Sequence, residues 1–309
     1  MSATCSARGS DAEGRDLSAY ARRRKLVDDN LLRFLRPDVC AIPAGLRAAM
    51  EYSLTAGGKR IRPVVLLSAG AAVGGGEEEL LPFACAVEYV HTYSLIHDDL
   101  PAMDDDDYRR GRPTCHKAFG EAAAILAGDA LLTEAFRVTG ESPLSAREPG
   151  RAVRAIAVLA RAAGAEGMVG GQQMDLSPDL SKGPAAGIEA IDLRKTAALL
   201  SAAARMGGIL GGGTAAQVGS LAAFGRALGL LFQVTDDILD ETGNFEELGK
   251  GVAKDRGRGK LTYPIALGME TARSRAEGLA REAVAALAVF GAAGQDLREI
   301  VQLVSHRRS

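Results

Sequence analysis

Apolar residues recur along this chain at the three- and four-residue spacing of one helix face. The pattern covers residues 20–36, 80–97, 121–139, 151–164, 188–209, 221–240 and 272–290. Breakers separate these stretches: the glycines at 74–76, Ser142-Pro143, the Glu-Pro-Gly at 148–150, Ser177-Pro178 and the Gly-Pro-Ala-Ala-Gly at 183–187. Alternating runs of β-branched residues are missing. Residues 62–72 are short and apolar enough to pass for a strand, but they sit among helical patterns. The reading is an all-α, single-domain bundle of about ten to twelve helices. It spans residues 16–309 behind a polar, mobile tail over residues 1–15. Several central helices are apolar nearly all round and are expected to be buried.

Two acidic clusters interrupt those apolar helices. The first is His97-Asp98-Asp99-Leu100-Pro101-Ala102-Met103-Asp104, followed by three more aspartates at 105–107 and by Arg109 and Arg110. On a straight helix Asp98 and Asp104 lie about 120° apart. Pro101 cannot complete the helix, so a bulge or unwound turn between them is expected. Converging carboxylates, completed by phosphate and water, suit Mg²⁺. Asp105, Asp106 and Asp107 read as a solvated acidic run. In the second cluster, Gln233, Asp236, Asp237 and Asp240 stand at i, i+3, i+4 and i+7 and so share one stripe of a helix. Its other residues include Leu228, Leu231, Phe232, Val234 and Ile238. Carboxylates stacked on one face repel, and a divalent cation removes the conflict.

A polyanion needs cations as well. Lys59 and Arg62 follow the flexible pair Gly57-Gly58, three residues apart, so both can face one oxyanion. The spacing is not that of a P-loop. Lys195-Thr196 lies in an Ala- and Leu-rich helix. Lys250 and Lys260 bracket a glycine-rich loop just after the second cluster. His91 stands two helical turns before Asp98, either as a donor to an anion or as a satisfied structural histidine.

Composition narrows the classes. The 309 residues are 47% hydrophobic and 25% charged, with 37 basic against 39 acidic side chains and a net charge of −2. No basic excess supports nucleic-acid binding, so any polyanionic ligand is met by local cations. Cys5, Cys40, Cys85 and Cys115 form no CxxC pair; they fit reduced thiols of a cytoplasmic protein and exclude a zinc site. No run of about 18 apolar residues marks a membrane span, and the polar start is not a signal peptide.

From about residue 20 onward the chain resembles the trans-isoprenyl diphosphate synthases, most closely the bacterial farnesyl diphosphate synthases. Their DDx₄D motif matches Asp98–Asp104, their DDxxD motif matches Asp236–Asp240, and their GGKR element matches residues 57–60. Residues 259–264 match the GKxTYP loop, and 171–176 a Gly-Gln element ending Asp175-Leu176. The resemblance implies an isoprenoid synthase type I fold around a central cavity, usually as a homodimer. It implies about three Mg²⁺ ions with bound diphosphate, on ligands drawn from Asp98, Asp99, Asp104, Asp236 and Asp240. Asp237 and Lys195 join the catalytic set. The allylic diphosphate is expected to meet Arg109, Lys195, Thr196, Gln233, Lys250 and Lys260. Isopentenyl diphosphate is expected to meet Gly58, Lys59, Arg62, His91 and Arg110. Within the family, Tyr93 five residues before Asp98, with Ser94 next, goes with a fifteen-carbon product. Helical spacing alone puts Tyr93 about 140° from Asp98 and does not turn it into a cavity.

The alternatives are a geranylgeranyl diphosphate synthase, a class I terpene cyclase or a non-catalytic regulatory subunit. Lys59, Arg62 and two complete aspartate motifs argue against the last two. Ala253 and Lys254 depart from the family's usual loop. The basic residues 306–308 either close over bound diphosphate or are frayed and solvated, and the second reading is preferred.

Overall fold

A computed structural model describes residues 18–35, 42–179, 181, 183–242 and 262–307. The tail over 1–15, Cys5, Cys40, Lys250 and Lys260 lie outside them. Fifteen α-helices are present among the described residues, three of them only five residues long. The twelve longer ones agree with the number read from the periodicity. In chain order the first are α1 (Ala19–Asn30), α2 (Ala44–Leu54), α3 (Ile61–Ala71) and α4 (Glu77–Asp98). A two-stranded hairpin, β1 (Tyr108–Arg109) and β2 (Arg112–Pro113), precedes α5 (Cys115–Phe119), α6 (Glu121–Gly140), α7 (Pro143–Arg147), α8 (Pro149–Ala163), α9 (Met168–Leu176) and α10 (Pro184–Asp192). A π-helical turn (Leu193–Ala197) leads into α11 (Ala198–Leu210) and α12 (Ala215–Thr242). Then come α13 (Tyr263–Leu267), α14 (Met269–Ala286), a 3₁₀ segment (Ala288–Gly294) and α15 (Gln295–Ser305).

Packing runs from helix to helix. α4 lies between α3 and α6, α3 also packs on α11, and α11 packs on α8 and α12, which is flanked in turn by α14. The apolar stretch that begins at Arg62 is helical, and residues 63–70 are all buried. A helix buried all round looks locally like a buried strand, and its neighbours decide between them. Among the described helices α12 alone has the length and hydropathy to cross a bilayer. Here it is a core helix: Leu221, Phe224, Leu228, Leu231 and Val234 are fully buried.

The fold delivers two helix ends to one place. Glu77, Glu78 and Glu79 complement the N-terminal dipole of α4, and its last helical residue is Asp98. Beyond it, Asp104 N–H donates to the Asp98 carbonyl at 2.8 Å and Asp106 N–H to the Asp99 carbonyl at 3.2 Å. This wide turn around Pro101 is the unwinding expected from the sequence.

Candidate active site

Asp98 from α4 and Asp236 from α12 face a common cavity of about 550 Å³. Its walls also carry Lys195 and Thr196 from the π-turn, Gln233 from α12, Gln172 from α9, and Arg109 and Arg110 from the hairpin. The π-turn can approach because Gly171 on α9 has no side chain; a Cβ there would run into the Lys195 backbone. π-turns inside helical stretches recur at functional sites.

The two Asp-Asp pairs divide in the same way. Burial pushes the Asp98 carboxyl up to about 6, Lys195 lowers it and Asp104 raises it further. Asp99 is 3% exposed and lies in an adjoining small pocket. Arg109 clasps it, with Nε 2.8 and 2.9 Å from its two oxygens and a terminal nitrogen at 2.6 Å. Such a two-oxygen clasp fixes the guanidinium plane. In the second pair Asp236 meets the cavity. Asp237 is buried instead, accepting from Gln233 Nε2 at 2.9 Å and from the Tyr263 backbone N–H at 3.0 Å. Thr196 Oγ1 donates to Gln233 Oε1 at 3.2 Å. A continuous path of hydrogen bonds therefore joins the π-turn, α12 and the start of α13. Asp240, near the end of α12, is exposed. The stripe read from the spacing is real, but its carboxylates do not converge on one point.

A second cavity of about 330 Å³ adjoins the first, sharing Arg62, His91, Arg110 and Phe232 with it. Gly58 and Lys59 line it too, as expected. Burial lowers the Lys59 ammonium and brings Arg62 down to about 10, so Arg62 stays charged at neutral pH. Burial and the surrounding arginines hold His91 well below its usual pKa. Neutral His91 Nε2 therefore accepts from Arg62 at 3.2 Å. The spacing had left this partner unidentified.

Arg110 and Gly111 form a two-residue hairpin turn with positive φ at both positions, 54° and 74°. That turn throws the Arg110 guanidinium across to the Gly57 carbonyl. A Cβ on Gly58 would sit 2.5 Å from an Arg110 terminal nitrogen, at a φ of +130°. Gly58→Ala is therefore expected to displace Arg110 and raise by about tenfold the KM of an anionic substrate that uses this cavity. The KM for the other substrate should change little. Steady-state kinetics with each substrate varied in turn checks this.

Arg60, in the matched GGKR element, borders the smaller cavity but has no free charge to offer there. It is buried in an ion pair with Glu88 at 2.6 Å and with Asp28 at 2.8 Å. Arg307 contradicts the preferred reading of a frayed, solvated basic segment. Its side chain is 10% exposed, and a terminal nitrogen lies 2.9 Å from Asp236 Oδ1.

The donor set fits Mg²⁺. Asp98 and Asp236 offer hard carboxylate oxygens on two walls of one cavity, and a cation, Arg307, already sits on Asp236. Gln172 presents a buried amide with neither Nε2 nor Oε1 bonded among the described residues. No cluster of three ready ligands exists among those residues. An ion completed by water and substrate oxygens, as Mg²⁺ prefers, needs none.

Residues 43–301 match the polyprenyl synthetase family model. The chain belongs to that family. It is 53% identical over 245 residues to the heterodimeric geranylgeranyl pyrophosphate synthase large subunit 1 of Arabidopsis thaliana, covering 78% of this chain and 66% of that protein. The chain thus spans about two thirds of that relative. A crystal structure of an FPP/GFPP synthase from Zymomonas mobilis superposes with a TM-score of 0.80 at 36% identity, covering 92% of this chain and 96% of that one. A geranylgeranyl pyrophosphate synthetase from Pyrococcus horikoshii gives 0.82 at 29% identity, covering 94% and 98%. The split within each Asp-Asp pair of this polyprenyl synthetase escaped the sequence reading, and so did the contact of Arg307 with Asp236. Adjacent carboxylates look alike in one dimension, and Arg307 meets Asp236 from 71 positions away.

Proposed function

We propose that this polyprenyl synthetase condenses isopentenyl diphosphate with dimethylallyl or geranyl diphosphate to make farnesyl diphosphate. The observation that carries the reading is the pair of joined cavities, one with facing carboxylates and one with surplus cations. The allylic diphosphate binds in the first cavity, where Asp98, Asp104 and Asp236 would hold Mg²⁺. When bound, Mg²⁺ supplies electrophilic stabilisation of the departing diphosphate. Arg109, oriented by Asp99, and Lys195, 2.6 Å from Asp175, neutralise charge on the same leaving group. Asp99 and Asp237 act as positioning residues in this account. Lys59, Arg62 and Arg110 hold isopentenyl diphosphate in the second cavity. The allylic C–O bond breaks with its electron pair passing to diphosphate. The π electrons of isopentenyl diphosphate then form the new C–C bond, and a proton leaves the adjacent carbon to the released diphosphate. Thr196 and Gln233 line the cavity where positive charge develops. Ile125 and Leu126, exposed on α6, supply apolar surface for a homodimer.

Farnesyl as the product rests on Tyr93. Its side chain lines the first cavity and is 6% exposed. It packs edge-to-face on His97, with ring centroids 5.7 Å apart. His97 is held in turn by the Ile125 carbonyl at 3.1 Å. A ring braced from behind cannot swing aside for a longer chain. Tyr93→Ala is expected to move the main product from fifteen to twenty carbons, with turnover kept within about tenfold. Product separation by carbon number tests this. An unchanged fifteen-carbon product in the variant contradicts the Tyr93 stop. The geranylgeranyl alternative is favoured by the relatives at about half identity, and it predicts twenty carbons from the wild type.

A further inference from the structure

Past Ser305 the chain turns back and Arg307 enters the cleft. Its guanidinium carbon lies 4.5 Å over the Phe232 ring centroid, and one terminal nitrogen reaches Asp236. The other two nitrogens, Nε and Nη1, are buried and have no hydrogen-bond partner among the described residues. Buried donors of a cation left unbonded are costly. The contact with Asp236 therefore satisfies only part of this side chain. Arg307 also lines the smaller cavity with Lys59, Arg62 and Arg110. After burial, the charge of Arg307 is what most lowers the Lys59 ammonium. Glu88, the acid in this cavity's lining, is already paired with Arg60. Five cations thus border one cavity. Arg60 is neutralised by Glu88, and Arg307 leans out to a carboxylate of the next.

We propose that Arg307 is an exchangeable counter-ion of Asp236. It holds that carboxylate while no divalent cation is bound. It is released when a cation takes Asp236, and its unbonded donors then turn to the diphosphate in the Lys59 cavity. The inference rests on the reading of the two cavities given under Proposed function. Two consequences follow by linkage. Arg307 competes with a metal offered alone, and metal loading strengthens capture of the second diphosphate.

The test uses the full chain carrying Arg307→Met, which keeps an apolar side chain over Phe232. Mn²⁺ alone is titrated and free Mn²⁺ is read by electron paramagnetic resonance. The variant is expected to bind Mn²⁺ about three- to tenfold more tightly than wild type, since a modest ion pair no longer competes. In an Asp236→Asn background the same substitution should change nothing. With Mg²⁺ saturating, the variant should bind isopentenyl diphosphate about tenfold more weakly by calorimetry, and Arg307→Lys should recover part of that loss. Circular dichroism establishes that each variant is folded. Unchanged or weaker Mn²⁺ binding by Arg307→Met, beside normal binding by wild type, overturns the exchange alone. No Mn²⁺ binding by wild type removes the metal reading of Asp236, and the exchange with it.

Discussion

Asp98→Asn is expected to lower turnover by about a thousandfold or more while leaving the protein at least as stable as wild type. The two halves come from one observation. Burial raises the Asp98 carboxyl to about 6, so the folded protein resists the charge that this residue carries at neutral pH. An aspartate whose folded pKa lies above its unfolded value costs stability as pH rises through that interval. At pH 7 the penalty is fully present, and asparagine removes it while keeping the shape. The same substitution removes an anionic oxygen from the wall where the cation at the leaving group is to be held. Kinetics and thermal unfolding at pH 7 check both halves. A lowered Tm would make Asp98 a structural residue. Near-normal turnover would remove it from the chemistry.

Arg60→Met is expected to cost about 3–5 kcal/mol of folding stability. The Arg60 side chain is 2% exposed and its partner Glu88 is 3% exposed. Its third nitrogen donates to the Leu54 carbonyl at 2.6 Å. Removing the guanidinium strands Glu88 as an unpaired buried acid and orphans that carbonyl. Arg60 also holds a left-handed backbone, with φ of 52°, directly between Lys59 and α3. Loss of the pair therefore loosens the segment that presents Lys59. The contact with Asp28 adds less, since Asp28 is 39% exposed. The double variant Arg60→Met, Glu88→Leu should recover most of the loss, because no charge is then left buried without a partner. Denaturant unfolding of both variants measures this. A loss under about 1 kcal/mol in the single variant would contradict the assignment of Arg60 to the framework.

The sequence made the helices legible because burial and helical period coincide over long stretches of α4 and α12. It also made Asp98, Asp236, Lys195 and Arg62 legible, since charge on an otherwise apolar helix demands a reason. Adjacent aspartates were not separable. Asp98 and Asp99 carry the same charge one residue apart, and only the hairpin that returns Arg109 to Asp99 tells them apart. Asp237, expected in the catalytic set, is instead held by Gln233 and by the start of α13. In residues 57–60 the spacing picked out Lys59 and passed over Arg60; both border the smaller cavity, and Arg60 is spent in a buried ion pair with Glu88. Tyr93 faces the cavity despite its angle to Asp98, because the cavity runs along the last two turns of α4, from His91 to Asp98. Each of these needed a partner distant in the chain, which no local pattern contains.

The most direct measurement is a product assay on the wild-type protein with isopentenyl diphosphate, Mg²⁺ and, in turn, dimethylallyl, geranyl and farnesyl diphosphate, resolved by carbon number. The account predicts fifteen-carbon product from the two shorter primers and no extension of farnesyl diphosphate. Extension to twenty carbons would contradict the Tyr93 stop, and no condensation with any primer would contradict the prenyl-transfer reading itself.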